Sequence, residues 1–381
     1  MTHIVAGAFL LSGRPGYRQA GVHVYARELL RHLPDVVEQG GARLTALISP
    51  SAGAHVACCA YAVARELESP PARIWTEQIT LPRLLRQLGA DLYHGLGFVA
   101  PLRASCPTII TVFDLSFITQ PRTHKLLNRV YLSLFTRWSC HRAARVIAIS
   151  EWTKHDLLNH FGLAEGRVDV TPLGVDHERF RPLSIEQAET FRAQHHIREH
   201  AIFFLGSLEP RKNLARLIEA FCALRRTLPD AQLFIGGSPA WHYHDLLRSI
   251  RADASDGIHL LDRVDDTELP LWYNACAVTA YPSLYEGFGL PPLEAMACGA
   301  VVVASNTTSL PEVVGEAGVL VNPYDVTAMS HALRVALTDQ ALRQRLKAEA
   351  IARARQFTWA RTAELTWESY RAALETSQRR R

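Results

Sequence analysis

Tyr285 to Gly299 reads Y-E-G-F-G-L-P-P-L-E-A-M-A-C-G. Two glutamates, Glu286 and Glu294, bracket a loop that holds Gly287, Gly289, Pro291 and Pro292. Proline is excluded from a helix interior but welcome in its first turn, so a helix starts at the two prolines. It runs through Leu293, Glu294, Ala295, Met296 and Ala297 and stops at Gly299, a natural residue just past a helix end. The start of such a helix offers unpaired N–H groups and the positive end of the dipole, which together make an anion site. Gly287 and Gly289 let a ligand approach the backbone. Glu286, on the strand side of the loop, is placed to reach a sugar. Glu294, a turn inside the helix, is placed to accept from ribose hydroxyls. The competing reading is a surface loop whose glutamates face water.

Outward from this loop, strand-like and helix-like patterns alternate along the whole chain. Short apolar runs occur at Ile4–Phe9, Leu44–Ile48, Thr108–Phe113 and Arg145–Ile149, with helical stretches such as Val22–Leu33 and His124–His141 between them. The pattern restarts with strands at Ala201–Leu205, Gln232–Ile235, Val278–Tyr281 and Val301–Ala304 and a helix at Leu214–Leu228. Leu214, Leu217, Ile218, Phe221 and Leu224 give that helix one apolar face. Such alternation means βαβ units with parallel sheets, an α/β fold. At 381 residues the chain suits two domains. The break falls at Leu173 to Leu183, where P-L-G-V-D-H-E-R-F-R-P is rich in Pro, Gly and charge. The expected division is residues 1–176, residues 177–356 and a C-terminal helix within 357–381. That helix, capped by Thr358, sets Trp359, Ala363, Trp367 and Tyr370 on one stripe and is expected to cross between the domains.

A second motif, Leu205–Asn213, reads L-G-S-L-E-P-R-K-N after a strand. Gly206 and Ser207 form a tight turn, and Arg211 and Lys212 stand where a helix begins. Two cations oppose the dipole there, so an anion is expected to join them. A diphosphate fits, because two charge-assisted hydrogen bonds supply about 3–6 kcal/mol. The chain contains no D-x-D, the pair that would hold a divalent ion on a diphosphate. No metal is expected. In the first half, Tyr17–Tyr25 reads Y-R-Q-A-G-V-H-V-Y, where Gly21 would admit a phosphate to the backbone or simply turn the chain. Asp114 ends the strand Thr108–Phe113, either facing a ligand crevice or capping a turn. His94 poses the same choice. Gly95 to Ala100 formally matches G-x-G-x-x-A, but Pro101 follows instead of a helix, which argues against a dinucleotide loop. The stretch His124–His141 carries Lys125, Arg129 and Arg137, with Arg142 just beyond, beside Leu126, Leu127, Val130, Tyr131, Leu134, Phe135 and Trp138. It suits either an anionic membrane surface or a crossover helix with a solvated basic face.

The bulk numbers narrow the classes. Hydrophobic content of 48% and charged content of 20% describe a globular protein. The net charge is +4, and no dense Lys/Arg run precedes Arg379–Arg381, so no nucleic-acid partner is expected. Seven scattered cysteines without a C-x-x-C read as reduced thiols in a cytoplasmic protein. Ile4–Leu11 is a first strand and not a signal peptide, and no run is long enough to cross a membrane.

With these residues in hand, the chain resembles the retaining glycosyltransferases of family 4, which have the GT-B fold. The resemblance covers nearly the whole chain. It rests on E-x7-E from Glu286 to Glu294, the following G-A-V-V-V-A-S-N and S-L-P-E-V-V-G-E-A-G, and G-S-L-E-P-R-K-N. A-R-V-I-A-I-S-E-W-T-K and P-L-G-V-D-H-E-R-F add to it. It implies two Rossmann-like parallel-sheet domains facing a deep cleft, with the donor mainly in the C-terminal domain. Arg211 and Lys212, with Ser207 in the same turn, would bind the diphosphate. Glu286 and the backbone of Phe288, Gly289 and Leu290 would hold the sugar and phosphate, and Glu294 the ribose. The base would lie near Arg263 and Val264, and Gly21 would close on the diphosphate. Asp114 would act at the acceptor. Many relatives carry His-Asp where this chain has Phe113-Asp114, so the role of that histidine is open here. The implied activity moves a hexose of mannose or glucose type from a GDP- or UDP-sugar to a glycan or lipid-linked acceptor, with peripheral contact at the inner membrane face. A GT-B epimerase and a non-catalytic glycan-binding protein are the alternatives.

Overall fold

The computed structural model describes residues 1–11, 21–50, 60–62, 70–121, 126–237, 257–261 and 264–378. The chain divides into two compact units, Met1–Gly174 with Trp359–Arg381, and Val175–Thr358. The boundary lies inside the Pro/Gly-rich linker, two residues before the expected position. The C-terminal helix, Trp359–Gln378, groups with the first unit.

Among the described residues, the first unit is built on β1 (Thr2–Gly7), β2 (Ala42–Ile48), β3 (Ala60–Ala62), β4 (Leu92–Gly95), β5 (Thr108–Val112), β6 (Arg145–Ala148) and β7 (Val168–Val170). They form one parallel sheet in the order β3-β2-β1-β4-β5-β6-β7. The second unit repeats the plan with β8 (Ala201–Leu205), β9 (Gln232–Gly236), β10 (Ile258–Leu261), β11 (Val278–Tyr281), β12 (Val301–Ser305) and β13 (Val319–Val321). Its order is β10-β9-β8-β11-β12-β13, again parallel. Both are doubly wound Rossmann sheets. Each chain run starts centrally, builds outward to one side and then switches to the other. The switch falls between β1 and β4 in one unit and between β8 and β11 in the other. In such sheets ligands bind at the carboxyl ends of the strands on either side of that switch.

Helices bury the strands on both faces, which is why the central strands read as unbroken apolar runs. Ile202, Phe204, Leu233, Ile235, Val278 and Val301 are buried in one core with Leu214, Leu217, Phe221 and Leu224 of the helix Leu214–Arg225. The helix Gly21–Gln39 continues six residues beyond the expected end, straight through Pro34. Pro34 removes one intrahelical hydrogen bond. Leu33 and Val37 on either side are fully buried, and their burial carries the helix past it.

The C-terminal helix packs along Gly21–Gln39 through the stripe seen in the sequence, with Trp359, Ala363, Tyr370 and Ala373 buried. Gly40 is required at its end, since a Cβ there would come within 2.1 Å of the Trp367 ring. His94 is the centre of the latch. It is fully buried, with Nδ1 2.7 Å from the Tyr370 hydroxyl and Nε2 2.9 Å from Thr111 Oγ1. The Tyr25 hydroxyl lies 2.8 Å from the same Thr111 oxygen. Burial pushes the His94 pKa down to about 3, so the ring is neutral. His94 is therefore a structural group and not a ligand-facing one. Tyr370→Phe leaves a buried ring nitrogen unpaired and is expected to cost about 1–3 kcal/mol. Thermal unfolding checks this; an unchanged midpoint would remove the latch.

Candidate donor site

The site residues stand at the carboxyl ends of β8 and β11, on either side of the second sheet's switch point. After β8, Gly206 and Gly237 bring two backbones together so closely that a Cβ on Gly237 would lie 1.8 Å from the Gly206 carbonyl oxygen. The chain then makes a 3-10 turn, Pro210–Lys212. Asn213 follows in the left-handed conformation, and the helix proper begins at Leu214. Arg211 and Lys212 are thus held in a turn of their own, one residue short of the α-helix where the sequence placed them. The Asn213 amide fixes that turn by donating to the carbonyls of Pro282 (3.0 Å) and Pro323 (2.7 Å).

The cations have partners within the chain. Arg211 Nη1 donates to Glu286 Oε2 at 2.9 Å and to the Tyr285 carbonyl at 2.7 Å. Its Nη2 donates to Glu209 Oε1 at 2.7 Å, which also accepts from the Ser207 hydroxyl at 3.0 Å. Lys212 Nζ donates to Glu286 Oε1 at 2.6 Å and to the Tyr281 hydroxyl at 2.7 Å. The anion expected beside Arg211 and Lys212 is therefore supplied internally, by Glu286 and Glu209. Ser207, Arg211 and Lys212 of one motif and Glu286 of the other form one cluster. Lys212 and Glu286 are each 7% exposed. Burial alone would raise the Glu286 pKa, but Arg211 and Lys212 outweigh it and bring it down to about 2. Burial pulls the Lys212 pKa below the usual lysine range, with Glu286 opposing.

The loop after Glu286 has the predicted form. The helix is Leu290–Ala297, with proline in its first turn and Gly299 in the left-handed region at φ 75°. Gly289 caps it at φ 118°, where a Cβ would lie 2.8 Å from a Leu310 methyl. That position needs glycine for packing as well as for backbone freedom. Phe288 is buried edge-on against Phe357. Glu294 is half-buried and accepts from the Tyr273 hydroxyl at 3.1 Å. Val264 packs on Gly236 at the end of β9; Arg263 lies outside the described residues.

In the first unit, Asp114 Oδ1 accepts from the Ser116 amide at 2.8 Å, the turn-capping alternative. Phe113 sits in an aromatic group, edge-on to Tyr25 (5.1 Å) and to Phe98 (5.6 Å). Gly21 is the first residue of its helix; residues 17–20 lie outside the described set. The Gly95–Ala100 stretch follows β4 without opening a helix, as its proline indicated. The sequence missed Glu209, Tyr281, Tyr273, Thr308 and Ser309. Glu209 was legible as the acid two residues before Arg211. Ser309 opens the S-L-P-E-V-V-G-E-A-G segment, and Thr308 just before it carried no signal of its own. Among the described residues no group of three or more His, Cys, Asp or Glu could hold a metal ion, the five cysteines described are free, and no helix is long and apolar enough to cross a membrane.

Two doubly wound sheets, one carrying a carboxylate-locked Arg-Lys pair and a glycine-capped helix start at its switch point, place the chain in the Rossmann-type α/β class. Residues 19–179 match the family model "Glycosyltransferase Family 4" and residues 187–353 match "Glycosyl transferases group 1". The chain is 32% identical over 289 residues to O-antigen chain mannosyltransferase B of Escherichia coli, covering 75% of this chain and 76% of that protein. It is 35% identical over 243 residues to the serotype-specific mannosyltransferase WbdA of Escherichia coli, over 62% of this chain but only 30% of that longer protein. Among solved structures, Anabaena HepE in complex with UDP-glucose superposes with a TM-score of 0.76 at 18% identity, over 98% of this chain and all of that one. The chain belongs to glycosyltransferase family 4, with the two Rossmann-like units of the GT-B fold. It is a transferase, which sets aside the epimerase and the non-catalytic binding protein.

Proposed function

We propose that the chain moves a hexosyl group of mannose or glucose type from a UDP- or GDP-sugar to a glycan or lipid-linked glycan acceptor in polysaccharide biosynthesis, with retention and without a metal ion. The observation that carries this reading is the Glu286–Arg211–Lys212 cluster at the second sheet's switch point. Two mannosyltransferases among the relatives and a neighbour bound to UDP-glucose support the donor class. In the reaction the bond from the anomeric carbon to the diphosphate oxygen breaks. The acceptor hydroxyl bonds to the same face, and its proton passes to the leaving diphosphate. Charge grows on that diphosphate, and Arg211, Lys212 and the amides of Phe288, Gly289 and Leu290 are the groups proposed to meet it. Glu286 holds the sugar and keeps the two cations oriented. Glu294 takes the ribose, and Asp114, through the oxygen not used in its turn, orients the acceptor. Nucleotide release from UDP-, GDP-, dTDP- and ADP-sugars, with thermal shift, tests the donor. UDP or GDP is expected to raise the melting point, and stabilisation by NAD alone would overturn the reading. Turnover is expected to survive EDTA, and an inverted product by NMR would refute retention.

We also propose that the first unit rests on an anionic bilayer. Leu127, Val130, Leu134 and Trp138 follow one face of the helix Leu126–Arg142 and are 45–87% exposed. Trp75 and Ile79, 63% and 42% exposed, lie on the neighbouring helical run, which joins this helix through the Tyr131 hydroxyl donating to Glu77 at 3.0 Å. The two segments carry Arg73, Arg83, Arg86, Arg129, Arg137 and Arg142, and their one acid, Glu77, is buried. Exposed Trp and Leu framed by arginine with no exposed acid fits the interface of an anionic membrane. His124 and Lys125 lie outside the described residues. Leu127→Glu with Leu134→Glu is expected to cut sedimentation with phosphatidylglycerol vesicles by about tenfold or more, while Ile185→Glu in the second unit leaves it unchanged. Equal binding by all three proteins would sink the proposal.

A further inference from the structure

Thr308 has φ 57°, in the left-handed region. Among the described non-glycine residues, His196 and Asn213 share that conformation, and Thr308 alone of the three is β-branched. A branched Cβ crowds the backbone there, whereas glycine takes the same φ freely. The chain therefore carries a strained residue where an unstrained one was available. Backbone strain of this kind persists where the surroundings over-determine it, commonly beside functional groups.

Over glycine, threonine adds a Cβ, a methyl and a hydroxyl, and the hydroxyl is engaged on both sides. Oγ1 accepts from the Glu286 amide at 3.1 Å and donates to the Thr307 carbonyl at 2.7 Å. The next hydroxyl, of Ser309, lies 2.9 Å from the Glu286 carbonyl oxygen and 2.8 Å from that of Phe288. The residue after it, Leu310, fills the space that glycine leaves at position 289. Three consecutive residues thus grip the backbone from Glu286 to Gly289, while Arg211 and Lys212 grip the Glu286 side chain.

We infer that Thr308 is a positioning residue. Its strained backbone holds the hydroxyl beneath the Glu286 amide, and this sets where the Glu286 carboxylate and the following amides point. The inference rests on Glu286 being the sugar-side group of the donor site. Three variants test it, read by turnover, melting point and amide exchange of the segment spanning Glu286. Thr308→Ser keeps the hydroxyl and is expected to keep both turnover and exchange. Thr308→Gly removes hydroxyl and strain together. It is expected to melt at or above the wild-type temperature, yet exchange the Glu286 amide about tenfold faster and lose kcat by about tenfold, with donor KM little changed. Thr308→Val keeps the strain, loses the hydroxyl, and is expected to match Gly in exchange but melt lower. A stable Gly variant with wild-type kcat and exchange, or a Ser variant as slow as Gly, overturns the inference. If the wild type turns over no donor, the transfer reading fails, and the exchange arm still decides whether Thr308 holds the loop.

Discussion

Glu286→Gln is expected to lower transfer by about 10²–10³-fold, the usual effect of removing one preorganised charged contact from an active site. It is also expected to lower stability, which the sequence alone did not suggest. There Glu286 read as a group facing a ligand. In the structure its carboxylate is the counter-ion of a buried lysine and of Arg211. Breaking a buried pair from one side typically costs about 3–5 kcal/mol, because the other charge is left uncompensated. The pH dependence gives an independent check. The Glu286 pKa falls from 4.5 unfolded to about 2 folded, as Arg211 and Lys212 overcome the opposing effect of burial. A depressed carboxylate contributes stability above its unfolded pKa and loses it as pH falls through the folded one. The wild type is therefore expected to lose on the order of 3 kcal/mol between about pH 4.5 and 2, and the Gln variant to lack that component. The deficit of the variant should shrink on adding UDP or GDP, whose diphosphate supplies the missing negative charge. Equal turnover in the variant would remove Glu286 from the chemistry. Equal stability across the pH range would remove it from the ion cluster.

The legible and illegible parts of this fold separate on physical grounds. Strands buried on both faces were readable, because Ala201–Leu205 and Val301–Ala304 are continuous apolar runs. The edge strands β3, β7 and β13, three residues each, carry too few positions to show a pattern. The missing N–H of Pro34 is a local signal, whereas the burial of Val37 that carries the helix past it is tertiary. The site divides in the same way. The helix start at Pro291 and Pro292 follows from proline chemistry alone. The pairing of Arg211 with Glu286 spans 75 residues and appears only once β8 and β11 are neighbours. His94 carried a chemistry-bearing side chain at a strand end, the right address for a ligand group. Its partner Tyr370 comes from 276 residues away, on a helix whose stripe announces a packed face but not what that face meets.

Lys212→Met is expected to weaken UDP or GDP binding by about tenfold or more, one charge-assisted hydrogen bond. Methionine preserves most of the stem's packing, so the loss isolates the ammonium. Lys212 Nζ has three donors, and Tyr281 and Glu286 account for two of them. The diphosphate is proposed to take the third, in a position already aimed by the other two. This variant differs from the Glu286 one in a decisive way. Removing Lys212 leaves the Glu286 carboxylate still paired with Arg211 Nη1, so the fold is expected to keep most of its stability. Glu286→Gln leaves the ammonium buried with only a phenol and an amide. The double variant Glu286→Gln/Lys212→Met removes both charges, and is therefore expected to melt above the Glu286→Gln single variant. A second substitution that restores stability is the mark of a coupled pair. Calorimetry with the nucleotides and melting of the four proteins measure both effects. Additive melting points would show that the two side chains do not depend on each other, and an unchanged nucleotide affinity in Lys212→Met would place the diphosphate elsewhere.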